Sequence, residues 1–158
     1  MNEPAESTAA APIRAEMDAA LAGENTEAAK AARGGYARLA EKQGNYELAW
    51  EYFISSGMYA NNAANVAGIL LKDKANAAAV YQGVLQLFET GVDAQSARRL
   101  IPALQKAAVY AKIPAAEVRG ALETVQRLYA DRAIGDTDDA KAWGIVLGAL
   151  RDSIAAWK

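Results

Sequence analysis

About a quarter of this 158-residue chain is alanine, and no other feature limits its possible folds as strongly. Alanine is the best helix former, and the β-branched residues that favour pleated strands are scarce here. The chain therefore reads as all-α. Alanine also thins a core, because it brings little apolar area per residue. Stability must then come from close helix approach and a few large anchors among Tyr, Trp, Leu and Phe.

The punctuation between helices is regular. Residues 1–12 are Ala, Glu, Pro, Ser and Thr with nothing to bury, and read as a flexible N-terminal tail. Residues 13–158 read as a single all-α domain. A first helix runs from Pro12 to Gly23, and a second from Asn25, as its cap, to Gly44. Gly34 and Gly35 fall inside the second, where they either break it or admit a close neighbour. Asn45 and Gly57 bracket a third, and residues 59–74 give a fourth. A fifth ends at Gly91. Asp93 caps a sixth, in which Pro102 should introduce a kink. Pro114 opens a seventh, with Val118, Leu122, Val125 and Tyr129 at helical spacing. The last puts Trp143, Leu147, Leu150 and Ile154 on one stripe, expected to close the core against Val118, Leu122 and Val125. Trp157, near a fraying end, is expected to be partly exposed. About eight helices joined by short turns make either a helical-hairpin array or a compact bundle.

Ala37, Gly44, Tyr46, Ala49 and Phe53 resemble the second half of a tetratricopeptide repeat, with a small residue, glycine, tyrosine, alanine and an aromatic at that family's offsets. The resemblance spans residues 37–56. It implies a helix–turn–helix hairpin in which small residues let two helices touch, glycine turns the chain, and the aromatic fills a groove. This chain departs from the pattern at Arg33, where the family has tryptophan, at Ala40, where it has tyrosine, and at Asn61, where it has a closing proline.

Residue types narrow the chemistry. Cysteine and histidine are both absent. That removes thiolate nucleophiles, Ser–His–Asp and Cys–His catalytic sets, the usual general base near neutral pH and the commonest metal ligands. No enzyme activity, cofactor or metal is therefore expected. The densest carboxylate cluster, Asp136, Asp138 and Asp139, is expected to serve the positive end of the last helix rather than a cation. No apolar run approaches the roughly 20 residues that span a bilayer, and the N-terminal stretch lacks the charge and hydrophobic pattern of a signal peptide. A cytoplasmic setting, or a place within an assembled particle, fits these features.

Two sets of residues are candidates for binding. Tyr46, Trp50, Tyr52, Phe53 and Tyr59 sweep too far around a helix of period 3.6 to share one core. Tyr46, Trp50, Tyr52 and Tyr59, with Trp157, are therefore expected to offer a surface to a protein partner, as interaction hot spots do. The second set is basic. Arg98, Arg99, Lys106 and Lys112 lie in a segment, 98–119, that holds five cations against Glu117 alone. They are weaker candidates for phosphate contact, because no glycine-rich phosphate loop or interleaved basic–aromatic run accompanies them.

Three function classes follow, in order of preference. The first is a non-catalytic helical interaction or adaptor protein. The second is a structural subunit of a larger particle such as a phage virion or filament. Its warrant is charge polarity, since residues 1–30 hold six acids against Arg14 and Lys30. The third, less favoured, is a small helical subunit of a nucleoprotein complex.

Overall fold

A computed structural model describes residues 26–157, and among these the chain forms seven α-helices, two short 3-10 turns and no strand. The all-α expectation holds. The N-terminal tail, the helix expected over residues 12–23 and Lys158 lie outside the described residues. The chain divides into two compact units, one ending at Tyr59 and the other beginning at Ala60.

The first unit is a hairpin of α1 (Glu27–Lys42) and α2 (Tyr46–Ser56). Thr26 begins α1, its extended backbone letting the hydroxyl accept from the Ala29 N–H at 3.1 Å. The turn is a Schellman motif built on Gly44, whose φ of +78° suits glycine. There the Asn45 N–H reaches the Ala40 carbonyl at 2.9 Å and the Gly44 N–H the Glu41 carbonyl at 3.0 Å. Asn45 caps α2 through the Leu48 N–H. Gly57, at φ +71°, stops it. Ala37, Ala49 and Phe53 are fully buried. The buried Ser56 hydroxyl donates to the Lys30 carbonyl at 2.7 Å and ties the end of α2 to the start of α1.

Gly34 and Gly35 turn out to have opposite roles. A Cβ on Gly34 would stand 2.2 Å from the Tyr59 ring, so this glycine exists to admit Tyr59. A Cβ on Gly35 would meet nothing within 4 Å. Gly34→Ala should therefore lower the stability of this unit by about 1–3 kcal/mol, as overpacking does. Gly35→Ala should raise it by up to about 1 kcal/mol through helix propensity. Urea titration of the two variants checks the pair, and equal signs would refute the close-approach account.

The second unit contains α3 (Ala60–Leu70), α4 (Ala77–Thr90), α5 (Ala94–Tyr110), α6 (Ala115–Tyr129) and α7 (Asp138–Ala156). The 3-10 turn Lys74–Asn76 precedes α4, and Ala130–Ala133 follows α6. α5 packs against α3, α4 and α7, and α6 packs against α7. This central place explains why Ala97, Leu100, Leu104, Ala107 and Ala108 on α5 are all fully buried. Asp93 caps α5 by accepting from the Ser96 N–H at 2.9 Å. The helix runs unbroken through Pro102, which lies on its exposed face. Its missing N–H therefore orphans a surface carbonyl, that of Arg98, where water can serve it.

The end of α6 is held by Tyr129, which is 2% exposed. Its hydroxyl donates to the Phe88 carbonyl at 2.6 Å and accepts from the Val92 N–H at 3.0 Å. The ring of Trp143 stacks on it at 4.6 Å between centroids and 13° between planes. The Arg132 guanidinium lies 5.0 Å from the Tyr129 ring and 5.7 Å from that of Trp143. Val118, Leu122 and Val125 are buried on the same helix, and α6 packs against α7. At the start of α7 the Thr137 hydroxyl accepts from the Ala140 N–H at 3.0 Å. Asp138 and Asp139 lie exposed in the first turn, where the helix dipole favours negative charge.

Candidate functional site

The second unit carries an open groove between α3 and α5, with a volume of about 340 Å³. Its floor is Ala64, Gly68, Leu71, Pro102 and Ala103, and its rim carries Arg99 and Lys106. The sequence explains the shape. Arg99, Pro102, Ala103 and Lys106 follow one another at offsets of 0, 3, 4 and 7, a single helical stripe. On α3, Ala64 and Gly68 are one turn apart. Small side chains on both walls leave a trough where larger ones would interlock. Gly68 is open to solvent, with nothing within 4 Å of where its Cβ would be.

The charge around this groove is one-sided. Neither α3 nor α5 contains an acidic residue. Arg99 is held in place by neutral groups: one guanidinium nitrogen donates to the Asn61 carbonyl at 3.2 Å and to Asn61 Oδ1 at 2.8 Å, and the other donates to Asn65 Oδ1. Its orientation is thus set by neutral groups. At the other end, Lys106 Nζ lies 5.6 Å and Lys74 Nζ 5.0 Å from the centre of the Tyr110 ring, so one aromatic gathers two cations. Among the described residues, no carboxylate lies within 4 Å of Lys74, Arg99 or Lys106. The nearby Asp73 carboxylate is engaged with the Ala75 N–H, where it caps the 3-10 turn.

Of the four basic residues singled out by sequence, Arg99 and Lys106 meet at this groove. Arg98 is exposed but not part of its lining. Lys112 stands beyond the end of α5, at φ +57°, the left-handed position that Gly44 fills after α1. There it terminates the helix, with the Ile113 N–H bonded to the Ala108 carbonyl at 2.9 Å.

The aromatic set requires correction. Trp50 and Tyr52 are 5% and 4% exposed, so they offer no accessible surface. The reason is the width of the buried face of α2: Ala49, Trp50, Tyr52, Phe53 and Ser56 are all buried, an arc of about 160°. Tyr46 and Tyr59 are half-buried, the latter edge-on to Phe53 at 6.2 Å with the Arg38 guanidinium 5.7 Å from its ring. Trp157 is half-buried as well, and its carbonyl accepts from Arg119 Nη1 at 3.1 Å.

Sequence reasoning passed over Asn61, Asn65, Lys74, Tyr110 and Gly68. A signal existed for the first two. Asparagine is a poor helix former, and two of them four residues apart in an alanine-rich helix mark a face with a task. No family model, curated protein or solved structure matches the chain.

Proposed function

We propose that this chain is a non-catalytic helical interaction protein that holds a segment of a protein partner in the groove between α3 and α5. The observation that carries this reading is the groove itself, an apolar floor flanked by cations that have no carboxylate within 4 Å among the described residues. Apolar contact supplies affinity in such a site, while fixed charges select and orient the occupant. The absence of cysteine and histidine supports a binding role over catalysis.

The reading is tested by filling the groove. Gly68→Leu places a side chain where nothing stands within 4 Å, so the fold should be retained and the trough blocked. Gly120→Leu, on α6, is equally unobstructed and serves as the control. A partner that co-purifies with the wild-type chain and with Gly120→Leu, but not with Gly68→Leu, supports the reading. Equal recovery by all three would overturn it.

Assembly into a larger particle is a second reading, favoured by the polarity of charge between residues 1–30 and 98–119. It requires association at micromolar concentration. A monomeric mass by light scattering in that range would remove it.

A further inference from the structure

We infer that the occupant of the α3–α5 groove is an acidic amphipathic helix, with two apolar side chains one turn apart and carboxylates about two turns apart beside them. This rests on the reading that the groove takes a protein segment, and it assigns that segment's chemistry. The spacing comes from α5. Arg99 and Lys106 are seven residues apart, which at helical rise sets them about 10 Å apart along the wall. A helix lying along the trough presents carboxylates at that distance when they are seven residues apart. Between the two cations the floor is Pro102 and Ala103, facing Ala64, Gly68 and Leu71. That is room for side chains, not for a backbone, and two apolar residues four apart in sequence fill such a stretch. The groove volume of about 340 Å³ is at the small end for a ligand site, which again suits a pair of side chains.

The charges choose among occupants. A purely apolar helix would bring Arg99 and Lys106 no counter-charge as the groove is covered, and the cost of desolvating an uncompensated cation rises with burial. Carboxylates at both ends remove that cost. A single-stranded nucleic acid would meet the same cations, but such strands bind on aromatic platforms. The groove lining has no aromatic residue. Tyr110, the nearby one, is already covered by Lys74 and Lys106.

The experiment uses the full chain and fluorescein-labelled helical peptides of identical backbone sequence. The first peptide carries two leucines four residues apart and two glutamates seven apart on one face. The second replaces both glutamates by glutamine, and the third replaces both leucines by alanine. An oligothymidylate serves as the nucleic-acid probe. Anisotropy should show the first peptide binding, with affinity falling as salt rises. The second and third peptides should each bind at least about tenfold more weakly. Gly68→Leu should abolish binding while its melting curve stays at or above that of the wild type. Arg99→Gln and Lys106→Gln should each weaken the first peptide and leave the second unchanged. Equal binding of the first two peptides, both blocked by Gly68→Leu, would overturn the acidic occupant while leaving a protein-binding groove. Oligothymidylate binding that Gly68→Leu blocks, with no peptide bound, would overturn it in favour of nucleic acid. No binding by any probe would overturn it as well, and the co-purification with Gly68→Leu then decides the broader reading separately.

Discussion

Trp143→Ala should destabilise the second unit by about 3–5 kcal/mol, a large share of what a domain of this size commands. The indole is 1% exposed and stacks against Tyr129, so truncation opens a cavity and removes a ring–ring contact at once. Its Nε1 is buried with no hydrogen-bond partner. The loss is therefore one of packing, with no hydrogen bond to subtract. Chemical denaturation should show a lower midpoint with the denaturant slope unchanged. A cost below about 1 kcal/mol would mean that α6 and α7 are not held together by this stack.

The second large effect is expected from a single oxygen. Tyr129→Phe keeps the ring and its stacking but strips the hydroxyl that serves both the Phe88 carbonyl and the Val92 N–H. Both groups would be left unpaired where the Tyr129 side chain still shields them from water, at about 1–3 kcal/mol for each. A total of about 2–6 kcal/mol follows, and a neutral outcome would show that solvent reaches those groups. Tyr81 provides the contrast. It is 1% exposed, and its hydroxyl has no hydrogen-bond partner, so Tyr81→Phe should be neutral or stabilising.

Both phenols also tie stability to alkaline pH. Burial raises the pKa of each above the ordinary value near 10; Glu117 adds to the rise at Tyr81, while the Val92 N–H and Arg132 partly oppose it at Tyr129. The unfolded chain then loses these protons first as pH climbs. The stability that depends on the neutral phenols is intact below about pH 10 and is lost as pH rises from there through the folded-state pKa. Tyr81→Phe should thus hold its melting temperature better than the wild type above pH 10.

Much of the fold was legible because helices are written locally. Asn45, Gly57, Gly91 and Asp93 mark ends of helices as their chemistry suggests, and the Trp143 stripe is buried at Trp143 and Leu150. The site was less legible, because it depends on which helix faces which. Nothing local distinguishes Gly34 from Gly35, and only the position of Tyr59 separates them. Trp50 and Tyr52 were misjudged for the same reason: a helix covered over a wide arc and a helix with a sticky surface have the same residues. Arg99 and Lys106 share a stripe that could be counted out, but Lys74 joins them only through the Tyr110 ring.

The composition of the groove floor has a consequence for how fast and how firmly it can be used. Alanine, glycine and proline have no side-chain rotamers to lose, and these three make up all of the floor except Leu71. Arg99, normally among the most mobile of side chains, is already immobilised by two asparagines. Ordering on this side of a complex is thus nearly complete before any encounter. The conformational entropy lost on docking falls almost wholly on the occupant, so a segment that is helical beforehand should bind more tightly than the same residues in a floppy chain.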